Sequence, residues 1–319
     1  MEIIRIIHSS NSSRDATAQN VKRILFLLAG LVSFTHSGLG DAATEINRSF
    51  DVKTPDGLNI KAQEQGDVHG TEIVFVHGLN QSHLSWNRQI HSELATRFHL
   101  LTYDLRGHGF SDRPEDGIFY KEGKRWGDEL NAVILAAGFH KPVLVGWSLG
   151  GLVILNYLKS YGEKEVAGLV FVDAVTKFDR ALIGGESQKL SSFLLSSDLD
   201  KQIFGTRQFL GACFNRQPSR EDFEMMLAFN SMVGPQVDGA IFQMKPTDLD
   251  AVLSQITVPA LVVHGDLDRL CSPRTSDHTM SLVQTARLVQ FHESGHAPFW
   301  EEPDKFNRTL SEFVQGLKP

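Results

Sequence analysis

Val143-Leu144-Val145-Gly146-Trp147-Ser148-Leu149-Gly150-Gly151-Leu152-Val153-Ile154-Leu155 is the stretch on which the fold turns. Its first part is an apolar, β-branched run and its last part has helical character, so Ser148 falls between a buried strand and a helix. Passing from one to the other at a single residue requires a very sharp turn, and the flanking glycines allow it. The turn lifts the serine hydroxyl above the strand end. It also leaves the free N–H groups and positive dipole end of the following helix beside it. A G-x-S-x-G pattern recurs by chance, and the strand before and helix after are the context that gives it meaning.

Working outward, the same apolar pattern returns on both sides. Ser49–Val52 and Leu58–Gln65 read as strands joined by the turn Thr54-Pro55-Asp56-Gly57. Glu72–His77, His99–Asp104, Pro142–Trp147, Val166–Val172, Val258–His264 and Arg287–Phe291 are further β-rich runs. Helical patterns fall between them, at Trp86–Arg97, Tyr120–Ala137, Gly150–Ser160 and Asp304–Leu317. Strands alternating with helices predict a mostly parallel sheet covered on both faces.

One segment breaks the alternation. Val175–Leu253 holds no convincing strand but has helix-like stretches at Ser187–Leu199, Asp200–Ala212 and Arg220–Met232. That is far longer than a crossover needs, and it reads as a helical insertion over the active edge of the sheet. The expected organisation is a core of residues 43–174 and 254–319 with a helical cap over 175–253. The Phe and Met residues of the cap are candidates to line a pocket, although most should pack the cap itself.

The 319 residues are 41% hydrophobic, enough for one large core or two smaller ones. A net charge of −7 without a basic block argues against nucleic acid and anionic membrane surfaces as partners. Cys213 and Cys271 stand far apart in the chain without metal-like spacing and read first as ordinary small apolar residues, with a single disulfide as the alternative. Residues 1–42 read as a leader. Lys22-Arg23 precede an uncharged, mostly apolar run, Ile24–Phe34, and a small-residue exit through Ala43. These are the three parts of a secretory signal peptide, with cleavage near Gly40 or Ala42 and a periplasmic or secreted mature chain. An uncleaved membrane anchor is the alternative. Eleven residues are short for about 30 Å of hydrocarbon, and no other run is long enough to span.

A serine hydroxyl attacks only when a base takes its proton, and histidine is the usual base. Among 13 histidines, His296 follows the last predicted strand in Ser294-Gly295-His296-Ala297-Pro298, at the same sheet edge as Ser148. His292, four residues earlier, falls at the end of the strand itself. The base needs an acid to orient it. Asp268 in Gly265-Asp266-Leu267-Asp268 is the first choice, with Asp266 bracing the turn. Asp173, closing the Val166–Val172 strand, is the alternative acid, and Asp104 reads as structural. An oxyanion needs two aimed N–H donors. Leu149 offers one at the helix start, and Leu79 in His77-Gly78-Leu79-Asn80 the other, with His77 bracing the loop. No metal or nucleotide cofactor is implied, since H-E-x-x-H and G-x-G-x-x-G are both lacking.

Taken together, His77-Gly78, Tyr103-Asp-Leu-Arg-Gly-His-Gly-Phe-Ser111, Gly146-Trp-Ser148-Leu-Gly-Gly151, Gly265-Asp-Leu-Asp268 and Gly295-His296 resemble the landmarks of the α/β-hydrolase superfamily. The resemblance runs over roughly residues 45–317. It implies an eight-stranded, mostly parallel sheet with a helical cap, and the order Ser148, Asp268, His296 is that of the superfamily's triad. A serine at the turn separates the chain from haloalkane dehalogenases and epoxide hydrolases, which use aspartate there. The resemblance then implies a serine hydrolase acting on a carboxylic ester, lactone or thioester of a small apolar substrate. Perhydrolases of the cofactor-free haloperoxidase type and carbon–carbon bond hydrolases share the triad and are the alternatives, ahead of a non-catalytic binding protein. The single-glycine loop at His77-Gly78-Leu79 differs from the HGGG loops of many lipases.

Overall fold

The computed structural model describes residues 45–244 and 248–317. The leader read over residues 1–42 lies outside the described residues. Eight strands form one sheet in the order β1-β2-β4-β3-β5-β6-β7-β8. They are β1 (Glu45–Lys53), β2 (Asn59–Asp67), β3 (Thr71–Val76), β4 (Phe98–Tyr103), β5 (Val143–Trp147), β6 (Gly168–Val172), β7 (Ala260–Gly265) and β8 (Ala286–Phe291). β1, β2 and β4 pair antiparallel, and every pair from β4 to β8 is parallel. The Thr54–Gly57 turn joins β1 to β2 through a 3.0 Å bond from Gly57 N–H to Thr54 O.

The central strands are buried throughout, as a sheet covered on both faces requires. Their period of two sorts side chains into two cores. Val74, Val76, Leu101, Leu144, Leu169 and Val262 join the core on one face. Ile73, Phe75, Leu100, Val143, Val170 and Leu261 join the core on the other. Each such side chain contributes about 1.5–3 kcal/mol on burial, which is why the hydrophobic runs alone locate the sheet.

Among the described residues, eleven helices, several of them single turns, cover the sheet: α1 (Asn87–Ile90), α2 (Gly123–Ala137), α3 (Leu149–Tyr161), α4 (Gly185–Leu194), α5 (Leu199–Ala212), α6 (Arg220–Asn230), α7 (Pro235–Phe242), α8 (Asp250–Leu253), α9 (Arg274–Leu282), α10 (Pro298–Glu301) and α11 (Pro303–Gln315). The helix expected over Trp86–Arg97 is reduced to a 3₁₀ turn at His83–Trp86, the single turn α1, and turns up to Arg97. Ile90, Leu94 and Phe98 recur every fourth residue and imitate a helical face. The Ser92 hydroxyl, however, donates to Gln89 O at 2.6 Å and accepts from Leu94 N–H at 3.2 Å, drawing the backbone into turns.

α4 to α8 all lie between β6 and β7. The stretch expected to be helical over Ser187–Leu199 stops at Leu194, because the Asp198 carboxylate caps α5 by accepting from the N–H groups of Asp200 and Lys201. α7 and α9 had no predicted counterpart. Among the described residues, the segment between β6 and β7 makes one isolated bridge, Ile183 with Cys271 in the loop after β7. No described helix is long and apolar enough to cross a membrane.

β3 pairs with β4 on one side and β5 on the other, so the chain order reverses beside β5. Crevices at the carboxyl ends of strands form at such a switch point. Ser148 leaves β5 there.

Candidate active site

Ser148 has φ 52° and ψ −115°, one of three non-glycine residues with positive φ among the described residues. Such a conformation costs about 1–3 kcal/mol and persists only where its surroundings impose it. They do so here. Ser148 N–H donates to Val172 O at 3.0 Å, and its carbonyl accepts from Gly151 and Val175 at 3.0 and 2.8 Å. The turn also requires α3 to press against β3, and a Cβ on Gly150 would lie 2.4 Å from Val76 O. Leu149 opens α3, and its N–H donates to no described acceptor.

The loop after β3 approaches from the side. A Cβ on Gly78 would stand 3.1 Å from Ser148 Cβ, which sets Leu79 next to the serine. The Leu79 N–H likewise has no described acceptor. His77 braces this loop, since its Nδ1–H donates to Gly78 O at 2.8 Å while Nε2 accepts from Leu105 N–H at 3.0 Å. Burial chiefly lowers the His77 pKa to about 3, so the ring stays neutral and does not move protons.

His296 lies in the loop after β8, its carbonyl accepting from Trp147 Nε1 at 2.7 Å. Its Nδ1 meets Asp268 Oδ2 at 2.7 Å, with both side chains buried. The second oxygen, Oδ1, accepts from Leu270 and Cys271 N–H at 2.7 and 3.0 Å. Burial pushes this carboxyl up, but the His296 ring and these donors outweigh it and hold Asp268 below its ordinary range. Asp173 makes no hydrogen bond to His296. Its Oδ1 accepts from Gly265 N–H at 2.9 Å, and burial, reinforced by the Asp268 charge, raises its pKa far above the ordinary value. The structure therefore brings together Asp268 and His296 and leaves Asp173 beside them without a bond to the ring. Asp266 engages the exposed His292 on the surface, and Asp104 is fixed by His83 and Phe110 N–H at 2.7 and 2.8 Å.

A strained serine at a strand-to-helix turn, a carboxylate–imidazole pair in the loops after β7 and β8 and two N–H groups without a described acceptor form one constellation. The profile described as the alpha/beta hydrolase family matches residues 73–309. The chain belongs to the alpha/beta hydrolase family. Among its relatives is an inferred aryl esterase from Burkholderia cenocepacia, whose solved structure is 40% identical. It covers 84% of this chain and 98% of its own, with a TM-score of 0.81. The esterase RhEst1 from Rhodococcus sp. ECU1013 is 29% identical, covers 85% and 99%, and has a TM-score of 0.80. The bifunctional esterase/perhydrolase DCH of Acinetobacter calcoaceticus is 28% identical over 283 residues, which are 83% of this chain and 99% of that one.

In this alpha/beta hydrolase, Ser148, His296, Leu79 and Leu149 line a cavity of about 260 Å3. Its wall comes largely from residues between β6 and β7: Phe178, Leu195, Phe209, Ile241 and Phe242 supply apolar surface, and Ser187, Gln188 and Ser191 add polar groups. A wider surface groove of about 1070 Å3, between Asn87–Arg97 and α11, contains none of the candidate residues. Side chains of Asp268, Cys271 and His296, and of Asp173, His264 and Asp268, bring possible ligand atoms within 4.8 Å of one another. Both sets run through Asp268, whose oxygens are committed to His296 and two N–H groups, and burial keeps the Cys271 thiol protonated. Cys213 and Cys271 are both buried free thiols.

Sequence reasoning missed three supports of the site. Glu301 and Glu302 hold the His296 loop through Gly295 N–H and Ser294 Oγ, at 2.7 and 2.6 Å. His264 stands 3.1 Å from Asp173. Asp238 on α7 contacts Asn80, 158 residues away in the chain, and no local pattern marks such a pair.

Proposed function

We propose that the protein hydrolyses a carboxylic ester of a small, largely apolar substrate through an acyl-enzyme on Ser148. The observation that carries this reading is the positive-φ Ser148 opening, with His296 paired to Asp268 at 2.7 Å, into one mainly apolar cavity. His296 takes the proton from Ser148 Oγ as the oxygen bonds to the carbonyl carbon. The Leu79 and Leu149 N–H groups receive the oxyanion. Collapse of the tetrahedral adduct expels the alcohol oxygen, which takes the proton from His296. Water, deprotonated by His296, then attacks the acyl carbon and releases the acid and Ser148. Asp268 keeps the ring oriented and balances the imidazolium charge. The names of the esterase relatives support the ester class.

A second reading has a specific support in the esterase/perhydrolase relative: hydrogen peroxide would replace water in the second step and give a peracid. We also propose export of the mature chain, on the leader pattern of Lys22–Ala43.

Incubation with a fluorophosphonate followed by intact mass, alongside turnover of p-nitrophenyl acetate and butyrate, tests the main reading. The expected result is one stoichiometric adduct and measurable turnover, both lost in Ser148→Ala. A wild-type protein with neither would sink it. Adding hydrogen peroxide and trapping peracid separates the two readings.

A further inference from the structure

Asn80 directly follows Leu79 and has a left-handed backbone, φ 59°. Its Nδ2 donates to Asp238 Oδ2 on α7 at 3.3 Å, and both side chains are buried. The remaining oxygens, Asn80 Oδ1 and Asp238 Oδ1, are also buried and have no described partner. Native structures rarely leave such atoms unpaired, and two of them on one contacting pair amount to one missing donor. A single proton on Asp238 supplies it.

We propose that Asp238 is a neutral carboxylic acid whose O–H donates to Asn80 Oδ1 while Asn80 Nδ2–H donates back, closing a two-bond ring that fastens α7 to the loop carrying Leu79. Asp238 and Asn80 are then positioning residues, acting on the oxyanion donor and on the cavity wall together, because Ile241 and Phe242 of the same helix line the cavity. The role for Leu79 rests on the ester-hydrolase reading above. The protonation of Asp238 does not.

The surroundings favour the neutral form. Burial raises the Asp238 pKa to about 7, against the opposing hydrogen bond from Asn80. On α7 Asp238 is the single titratable group. The helix packs on the Gly117–Phe119 turn through Ala240 and on the Gly107 loop through Val237, and Leu195 of the neighbouring segment is apolar. Most charged groups on those elements are engaged elsewhere. Arg106 pairs with Glu129 and Asp56 at 2.8 Å each, and Arg113 donates to Gly109 O. Asp104 pairs with His83 at 2.7 Å, and Asp116 caps Ile118 N–H at 2.9 Å. Lys121 lies along Gly117. His77 and His108 are held neutral, at about 3 and about 4, chiefly by burial.

Between the ordinary carboxylate range and about 7, the folded chain holds a proton that the unfolded chain has released. Stability from the ring is therefore complete at low pH and is lost as pH rises through the folded value. Losing the proton also sets a carboxylate against Asn80 Oδ1, so the Leu79 loop loosens and kcat falls on the alkaline side.

Asp238→Asn separates this from a merely structural contact, because an amide donates and accepts in the same ring without titrating. Two measurements on the full chain test it: kcat for p-nitrophenyl acetate followed by pH-stat from pH 5.5 to 9, and Tm over pH 5 to 8. The expected wild-type kcat declines above pH 7, while D238N is flat there. D238L loses about tenfold in kcat at every pH. Wild-type Tm drops by roughly 5 °C relative to D238N between pH 5 and 8. A D238N profile that falls with the wild type, or a Tm difference that does not move with pH, overturns the proposal. The Tm arm needs no turnover, so an inactive wild type would defeat the ester-hydrolase reading while this one is still decided.

Discussion

Asp268 and His296 meet through a 2.7 Å contact between Oδ2 and Nδ1, while Asp173, at the end of the neighbouring strand, lies beside Asp268 with its pKa pushed up by burial. Two acids thus occupy one site with opposite shifts, the imidazole's partner held low and its neighbour pushed up. Asp268→Asn should keep the fold but lose about 10³–10⁴-fold in kcat, because the amide favours the wrong tautomer of the ring. Asp173→Asn should stay close to wild type in kcat, since Asp173 makes no hydrogen bond to His296 and an amide oxygen still accepts from Gly265 N–H. Equal losses in both variants, measured with p-nitrophenyl butyrate, would move the acid to Asp173.

Gly150→Ala tests the turn itself. The new Cβ would meet Val76 O at 2.4 Å, backbone against side chain with nothing flexible to yield. A loss of about 1–3 kcal/mol by urea unfolding is expected, with a fall in kcat because α3 and the Leu149 N–H must shift. An unchanged midpoint would mean that the turn is looser than it looks.

Arg106 donates to Glu129 and Asp56 at 2.8 Å each, and neither Arg106 nor Glu129 is exposed. Arg106→Leu leaves Glu129 buried without its partner and should cost about 3–5 kcal/mol. In the double variant R106L/E129L much of that loss should return, which a chemical denaturation series would reveal.

Phe242 lines the cavity yet is 41% exposed, so it forms part of the mouth and its removal should cost little stability. Phe242→Ala should raise KM for p-nitrophenyl butyrate by roughly tenfold relative to acetate, with kcat nearly unchanged. Comparing the two esters across wild type and variant checks this, and an equal change for both would place Phe242 outside the acyl path.

Much of the scaffold was legible because it rests on local periodicity. Runs such as Ile73–Val76 and Val143–Val145 are apolar on both faces, and only a strand covered on both sides uses them. Where periodicity was imitated, as by Ile90, Leu94 and Phe98, a serine hydroxyl decided the backbone instead. Between β6 and β7 the boundaries shifted because caps such as Asp198 override the apolar spacing.

By itself the sequence determined the strand-turn-helix at Ser148 and the class of fold, since glycine spacing and hydrophobic pattern act over a few residues. It also narrowed the partners to His296 and a short set of acids. Only the tertiary structure decided that Asp268, and not Asp173, reaches the imidazole, and that Asp238 closes on Asn80. The reason is physical. Those pairings depend on where strand ends and cap helices come to rest, and on how completely burial there excludes water. Burial pushes both carboxyl groups up, and only the His296 ring and backbone donors beside Asp268 reverse that for one of them.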